Sequence, residues 1–108
     1  MKIARVGFDV PLDKLFDYRC DDAVEADIGA RVLAPFGKRN AVGVILEITD
    51  ISRVAITRLK PITKMLREAP GFSTDDIQLL RFAAEYYHHP LGAVVMSALP
   101  AEIGRAHV

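Results

Sequence analysis

The chain has 108 residues, of which 51% are hydrophobic and 26% charged, as in one soluble folded domain rather than a disordered segment. No apolar run approaches the roughly 20 residues of a membrane-spanning helix, and charges at positions 2 and 5 argue against a signal peptide. The net charge is zero, which disfavours a protein that coats nucleic acid through bulk electrostatics. The lone cysteine, Cys20, excludes an internal disulfide and fits a reducing compartment, so we expect a cytoplasmic protein with no membrane partner.

The first part of the chain alternates between apolar and polar residues as β-strands do. Strands are predicted over residues 2–10, 15–20, 31–36, 41–50 and 56–62, the last either complete or running into irregular chain at Pro61. Residues 21–29 are acidic and end in glycine, which predicts a loop. The clearest strand places four apolar residues on one face: Val42, Val44, Leu46 and Ile48. Within it, Gly43 predicts a bulge or the close approach of another backbone.

Beyond a break at residues 70–72 the apolar period becomes helical. Ser73 or Thr74 is a suitable N-cap, with two acids in the first turn. The predicted core stripe, ending before Pro90, contains Ile77, Leu80, Ala84 and Tyr87, broadened by Phe82 and Ala83. A second short helix is predicted over 91–99.

These elements predict an α+β fold, a small curled β-sheet or OB-like barrel of about five to six short strands followed by two short helices. We expect one domain over residues 1–102, with a β-rich part at 1–66 and a helical part at 72–100. Residues 103–108 are expected to be a linker or the cut end of a longer chain.

The motifs of catalysis are missing. Gly37-Lys38 lacks the preceding glycine and the following Ser or Thr of a phosphate-binding loop, and Cys20 has no adjacent histidine to activate it. His88 and His89 are neighbours and cannot share a helix face as metal ligands do, so they are expected at a helix C-terminus, near its last carbonyls. The sequence predicts no enzyme, no cofactor and no metal site.

One short segment, Phe16-Asp17-Tyr18, combines aromatic rings with a carboxylate. A strand would send Phe16 and Tyr18 to one face and Asp17 to the other. One interpretation is a core Phe, a half-buried Tyr and a solvated Asp. The other is a binding pocket, with a ring to stack on and a carboxylate that accepts hydrogen bonds from a base edge or a hydroxyl. The local pattern does not choose between them.

Charge is segregated along the chain. Residues 9–27 carry seven acidic and two basic residues, a net charge of −5, whereas residues 31–67 carry eight basic and two acidic residues, a net charge of +6. A basic middle in a neutral domain suits a local phosphate contact, although solvated surface charge would give the same pattern.

Several blocks, in order and at matching spacing, resemble the N-terminal domain of the PriA family, the bacterial primosomal (replication restart) helicases. The resemblance covers about residues 3–100. The blocks that carry it are Pro11-Leu12, Leu15-Phe16-Asp17-Tyr18, Gly29-Ala30-Arg31-Val32, Pro35-Phe36-Gly37-Lys38, Gly43-Val44-Ile45, Leu59-Lys60 and residues 84–92 with Tyr86-Tyr87-His88-His89-Pro90.

The resemblance implies a DNA-binding domain that recognises the 3′ end of the nascent leading strand at a stalled fork, with the ATPase and helicase parts elsewhere in a longer protein. It implies that the terminal nucleotide is bound at Phe16, Asp17, Tyr18, Gly37 and Lys60. Lys38 and Arg39 would add phosphate contacts. Primosome proteins and single-strand DNA-binding protein are implied as partners of the full-length protein.

Two functions therefore remain open on the sequence. The first is a sequence-independent module for 3′-hydroxyl ends, in which a ring stacks on the base and Asp17 accepts a hydrogen bond from the hydroxyl. The second is a module that docks the helicase core or a primosome partner without contacting DNA, which the zero net charge would fit.

Overall fold

The computed structural model describes residues 1–99 of the chain, and the expected terminal segment 103–108 lies outside them. Within this range the fold is a five-stranded antiparallel sheet followed by two helices, as the sequence predicted. The strands are β1 Ile3–Gly7, β2 Phe16–Arg19, β3 Arg31–Phe36, β4 Arg39–Thr49 and β5 Lys64–Leu66, and the helices are α1 Thr74–Tyr87 and α2 Leu91–Ser97. Two short 3₁₀ helices lie at Glu25–Asp27 and Ile56–Arg58. The strands are arranged in the order β2-β1-β4-β3-β5.

The pairing of the central strand β4 with β1 contains an irregularity. A β-bulge on β4 leaves Leu46 unpaired, because Arg5 pairs with Glu47 whereas Val6 pairs with Ile45. The expected bulge at Gly43 is therefore absent, but the close approach of another backbone is confirmed, since a Cβ there would lie 2.8 Å from the Gly7 carbonyl oxygen.

The bulge also changes which side chains share a face. Val44 and Leu46 pack against the helices, whereas Ile48 packs against the opposite core and Val42 is exposed. The predicted single apolar face of this strand is therefore wrong for Ile48, whereas Val42 shares the face of Val44 but is exposed.

The sheet is consequently buried on both faces. One core lies on the face away from the helices, where the buried residues are Ala4, Val6, Phe8, Tyr18, Cys20, Ala23, Val32, Ala34 and Ile45. The other lies between the sheet and the helices, where Val44 and Leu46 meet Ile77 and Val95. A residue pair on β1 and β2, Arg5 and Asp17, faces away from the first core, because the paired neighbours Val6 and Phe16 face into it.

The two edges of the sheet are linked by residues 60–66, although the ladder does not close. Arg19 donates its N–H to the Lys60 carbonyl (2.9 Å) and accepts from Ile62 N–H (3.0 Å), while β5 pairs with β3. The predicted fifth strand at 56–62 is wrong, since this range contains a 3₁₀ helix and the strand lies at Lys64–Leu66. Pro61 cannot donate to a ladder, which limits pairing there to a single bridge.

Helix α1 begins at the predicted cap. Ser73 accepts the Asp76 N–H (3.1 Å), and the Asp76 carboxylate accepts the Ser73 N–H (3.2 Å), which completes a capping box. The helix ends at Tyr87, and the C-cap residue His88 has a left-handed backbone (φ 56°) and donates its N–H to the Glu85 carbonyl (3.3 Å). Neither α1 nor α2, the α-helices of the described part, has the length and apolar character needed to cross a bilayer.

The predicted core stripe of α1 is only partly right. Ile77 and Ala84 are buried, but Phe82 and Tyr87 are exposed. Phe82 lies five positions after Ile77, which places it about 140° away around a helix of 3.6 residues per turn. An apolar residue type was therefore not sufficient evidence of burial.

Candidate functional site

A cleft of about 1000 Å³ lies around the edge strand β2. It is lined by residues from five separate stretches of the chain. These are Arg5, Lys14, Leu15, Phe16, Asp17, Tyr18, Pro35, Phe36, Gly37, Glu47, Arg53, Val54, Arg58 and Lys60. The cleft has the size and mixed polarity of a small-ligand site.

The five residues predicted to bind one ligand all line this cleft: Phe16, Asp17, Tyr18, Gly37 and Lys60. Lys38 and Arg39, the further phosphate candidates, do not line it. They lie at the exposed tip of the β3–β4 hairpin, in and just after its two-residue turn. The fold thus brings the predicted core set together and leaves the additional basic residues outside.

Asp17 is the central acidic group of the cleft. Its side chain is only 11% exposed, and its Oδ1 accepts a hydrogen bond from Arg5 Nε at 3.2 Å. Its Oδ2 accepts from Ser52 Oγ at 2.5 Å. Arg5 also binds Glu47 Oε2 at 2.8 Å, so one guanidinium joins the two carboxylates that line the cleft. The interpretation of Asp17 as a solvated surface residue is therefore wrong.

The aromatic part of the cleft is a cluster rather than a single ring. Phe16 and Phe36 are half-buried and meet edge to face, with ring centroids 5.1 Å apart, and both contact Phe8. Tyr18 is only 5% exposed and donates its hydroxyl to the Pro35 carbonyl at 2.5 Å. Burial raises the pKa of Tyr18, so it stays protonated at neutral pH. Phe16 and Phe36 therefore present ring surface to the cleft, while Tyr18 supports them from the core.

The backbone of β2 and of the β3–β4 turn adds polar groups. Alternate residues of a strand point their N–H and C=O groups to the same edge. Because those of Arg19 point outward to Lys60 and Ile62, those of Asp17 also point outward, towards the cleft. Gly37 has φ 66°, a conformation suited to glycine, and a Cβ there would meet no atom within 4 Å. The lack of a side chain at Gly37 therefore matters first for the conformation of the turn.

The cleft carries a surplus of positive charge. Its five cationic residues face two carboxylates, and Arg5 already binds both carboxylates. The other four, Lys14, Arg53, Arg58 and Lys60, form no ion pair with any residue in the range 1–99. Lys14 Nζ lies 5.2 Å from the centre of the Phe16 ring, within cation–π range. Such a group of cations suits a ligand with several negative charges.

Most of the polar residues in and beside this cleft were not predicted from the sequence. No sequence motif marks Arg5, Glu47 or Ser52, and these residues lie far from Asp17 along the chain. Strand pairing brings Arg5 opposite both Asp17 and Glu47. The only available signal was the basic middle of the chain, which contains Arg53 and Arg58.

A further ion pair, between Asp27 and Arg67, lies outside the cleft. Asp27 is 4% exposed and accepts two hydrogen bonds from Arg67, at 2.8 and 3.0 Å, and a third from Val24 N–H. The hydrogen bonds from Arg67 hold the pKa of Asp27 below its usual value, although burial opposes them. Nearby, burial and Asp22 raise the pKa of the Cys20 thiol to about 11, which makes it a weak nucleophile at neutral pH.

Comparison with known proteins identifies the class to which this fold and cleft belong. Residues 5–100 match the family model described as the 3′DNA-binding domain (3′BD) of PriA. The chain therefore belongs to the PriA 3′ DNA-binding domain family, which confirms the resemblance noted in its sequence blocks.

Its relatives are longer proteins. The chain is similar to the replication restart protein PriA of Haemophilus influenzae, with 42% identity over 103 residues, 95% of this chain and 14% of that protein. It is also similar to PriA of Treponema pallidum, with 34% identity over 87% of this chain and 15% of that protein. PriA of Buchnera aphidicola from Schizaphis graminum is 25% identical over 93% of this chain. The chain thus spans about one seventh of the length of these relatives.

Proposed function

We propose that the cleft around β2 binds the 3′-hydroxyl end of a DNA strand without sequence preference, as part of a longer replication restart protein acting at stalled forks. This proposal rests on one observation. A carboxylate, exposed ring surface and four cations lie in one cleft, and these cations have no ion-pair partners in the described range. The family description supports DNA as the ligand.

Each group of the cleft has a role in this proposal. Phe16 and Phe36 stack on the terminal base, which gives affinity on the order of 1–3 kcal/mol per base whatever its identity. Lys60, Arg53 and Arg58 bind phosphates on the 5′ side of that nucleotide. Asp17 accepts a hydrogen bond from the terminal hydroxyl.

Asp17 also gives the site its preference for an end. A strand that continued past this nucleotide, or that ended in a 3′ phosphate, would bring a negative charge against a carboxylate that is 89% covered. Arg5 balances part of the charge of Asp17, but it is shared with Glu47 and with the Ile51 carbonyl. The hydroxyl end is therefore the form that the carboxylate tolerates best.

The test compares two identical 5′-labelled oligonucleotides, one ending in a 3′ hydroxyl and one in a 3′ phosphate, by fluorescence anisotropy. We expect the hydroxyl end to bind about tenfold tighter, and Asp17→Asn to remove most of that difference, because asparagine lacks the negative charge that repels a 3′ phosphate. Asp75→Asn, at an exposed position in the first turn of α1, is the matched control and should keep the preference. Equal binding of both ends by the unmodified chain would refute end recognition.

A second candidate function has its own observation. Helix α1 exposes an aromatic and aliphatic face on the side away from Ile77, formed by Leu79, Phe82, Tyr86 and Tyr87, each 65–66% exposed. Phe82 and Tyr86 stack, with ring centroids 6.0 Å apart. The acids of α1, including Glu85, make this face a poor surface for DNA and a better one for protein.

The occupant that we propose for this face is the remaining part of the longer polypeptide, since the relatives are about seven times the length of this chain. The test adds the chain to Haemophilus influenzae PriA lacking its matching domain and measures binding by calorimetry. A double Phe82→Ser and Tyr86→Ser variant should lose this binding and keep the binding of 3′-hydroxyl DNA. Equal binding of the unmodified chain and the double variant to the truncated protein would refute this docking role.

A further inference from the structure

Ser52 places an internal hydroxyl on the carboxylate that the proposed function assigns to a ligand hydroxyl. Ser52 Oγ donates to Asp17 Oδ2 at 2.5 Å, and Arg5 Nε donates to Asp17 Oδ1 at 3.2 Å. Both oxygens of this largely covered side chain therefore have donors within the chain. A hydroxyl that enters the cleft has to share or replace one of them.

The two donors are held very differently. Arg5 lies in β1, pairs with Asp17 across the ladder, and is fixed further by Glu47 and by the Ile51 carbonyl at 3.1 Å. Ser52 lies in irregular chain between β4 and the 3₁₀ helix at Ile56–Arg58, and most of its neighbours are exposed. Its other contact is a hydrogen bond accepted from Val54 N–H at 3.0 Å. Ser52 is thus the donor that can move at the smaller loss of contacts.

Ser52 also matches the ligand in chemistry. A serine hydroxyl and a sugar 3′ hydroxyl are the same kind of donor and make equivalent bonds to an ionised carboxylate. We propose that Ser52 is a specificity-determining residue, whose hydroxyl occupies the acceptor used by a 3′-terminal hydroxyl and is displaced when such an end binds. This inference rests on the proposed function.

The consequence concerns ends that lack a hydroxyl. With Ser52 present, a 2′,3′-dideoxy end leaves the Ser52–Asp17 bond intact, so no buried oxygen loses its donor. A hydroxyl end exchanges that bond for an equivalent one. Ser52 therefore keeps discrimination between hydroxyl and dideoxy ends small, whereas charge still excludes a 3′ phosphate.

The experiment measures three 5′-labelled oligonucleotides by anisotropy, identical except for a 3′ hydroxyl, a 3′ hydrogen or a 3′ phosphate. For the unmodified chain we expect the hydroxyl and hydrogen ends to differ by no more than about threefold, since one hydrogen bond replaces another. For Ser52→Ala we expect the ratio of the affinity for the hydroxyl end to that for the dideoxy end to rise by about tenfold. The reason is that the dideoxy complex now leaves Asp17 Oδ2 without a donor. Ser52→Thr retains the hydroxyl and should restore the small ratio.

The matched control is Ser97→Ala in α2, whose hydroxyl donates to the Val94 carbonyl away from the cleft. An unchanged ratio in Ser52→Ala, with hydroxyl still preferred over phosphate by the unmodified chain, would overturn this inference and leave the proposed function standing. Loss of the hydroxyl-over-phosphate preference in the unmodified chain would overturn both. A ratio in Ser52→Thr as large as in Ser52→Ala would also overturn the inference, because the hydroxyl would then not be the cause.

Discussion

The salt dependence of DNA binding depends on which cations reach phosphates, and the structure distinguishes two sets. Arg58, Arg53, Lys14 and Lys60 line the cleft without ion-pair partners in the described range, whereas Arg39 lies outside it at the end of a hairpin. We expect Arg58→Gln to lower both the affinity for single-stranded DNA and its salt dependence. Arg39→Gln, which makes the same chemical change, should alter neither.

The magnitude follows from counterion release, which for single strands contributes a slope of about 0.7 in log affinity against log salt for each phosphate contact. If all four cations bind phosphates, the slope is about 2.8, and a fourfold rise in salt weakens binding about 50-fold. Removing one cation reduces the slope to about 2.1, so the same fourfold rise in salt weakens binding only about 20-fold.

The assay is anisotropy with one 3′-hydroxyl oligonucleotide over a fourfold range of salt, for the unmodified chain and the two variants. Thermal unfolding of each variant shows whether the fold is retained. An unchanged slope in Arg58→Gln would refute the assignment of the cleft cations, and an equal reduction in Arg39→Gln would move the phosphate path to the hairpin tip.

Three further predictions concern the fold. Asp27→Asn should lower the free energy of unfolding at pH 7 by about 1–3 kcal/mol, because it breaks a charge-assisted pair with Arg67. Since the folded-state pKa of Asp27 is lowered, its contribution is complete above the unfolded value of about 3.9 and is lost as the pH falls through the lower folded value. Cys20 should react with a thiol reagent at least about 100-fold faster after denaturation, because burial raises its pKa to about 11. Gly43→Ala should lower the unfolding free energy by about 1–3 kcal/mol through overpacking against Val6.

The measurements are urea unfolding at several pH values and the rate of thiol modification with and without urea. An Asp27→Asn deficit that stayed constant from neutral pH into strong acid would contradict the ion-pair explanation. A native Cys20 that reacted as fast as the denatured one would show that it is not buried, and an unchanged midpoint in Gly43→Ala would show that β1 can move away.

The elements that could be predicted are those with a clear local sequence signal, such as a capping residue or a turn residue. Ser73 and Asp76 form a capping box that can be seen in the sequence, and Gly37-Lys38 form the two-residue turn of a hairpin, where a glycine is a common turn residue. The strand at residues 31–36 has the predicted bounds. The cap and the turn depend on hydrogen bonds between residues only a few positions apart, so the sequence contains their cause.

The grouping of the candidate residues could be predicted from the sequence, but their contacts could not. The resemblance placed Phe16, Asp17, Tyr18, Gly37 and Lys60 together, and the cleft contains all five. It did not show that Tyr18 is buried against Pro35, because both the core and the pocket interpretations fit an aromatic residue in an edge strand.

The sequence by itself determined the order of strands and helices, the helix cap and the family. Only the tertiary structure decided that Arg5 joins Asp17 to Glu47 and that Ser52 donates to Asp17, because these contacts join residues 12 to 42 positions apart. It also decided that Leu46 bulges, which turns Ile48 to the opposite core, and that Phe82 lies on the open face of α1. The physical reason is the same in each case, because burial and pairing depend on which elements pack together. Neither the alternation of apolar and polar residues nor the residue type shows which element will be the packing partner.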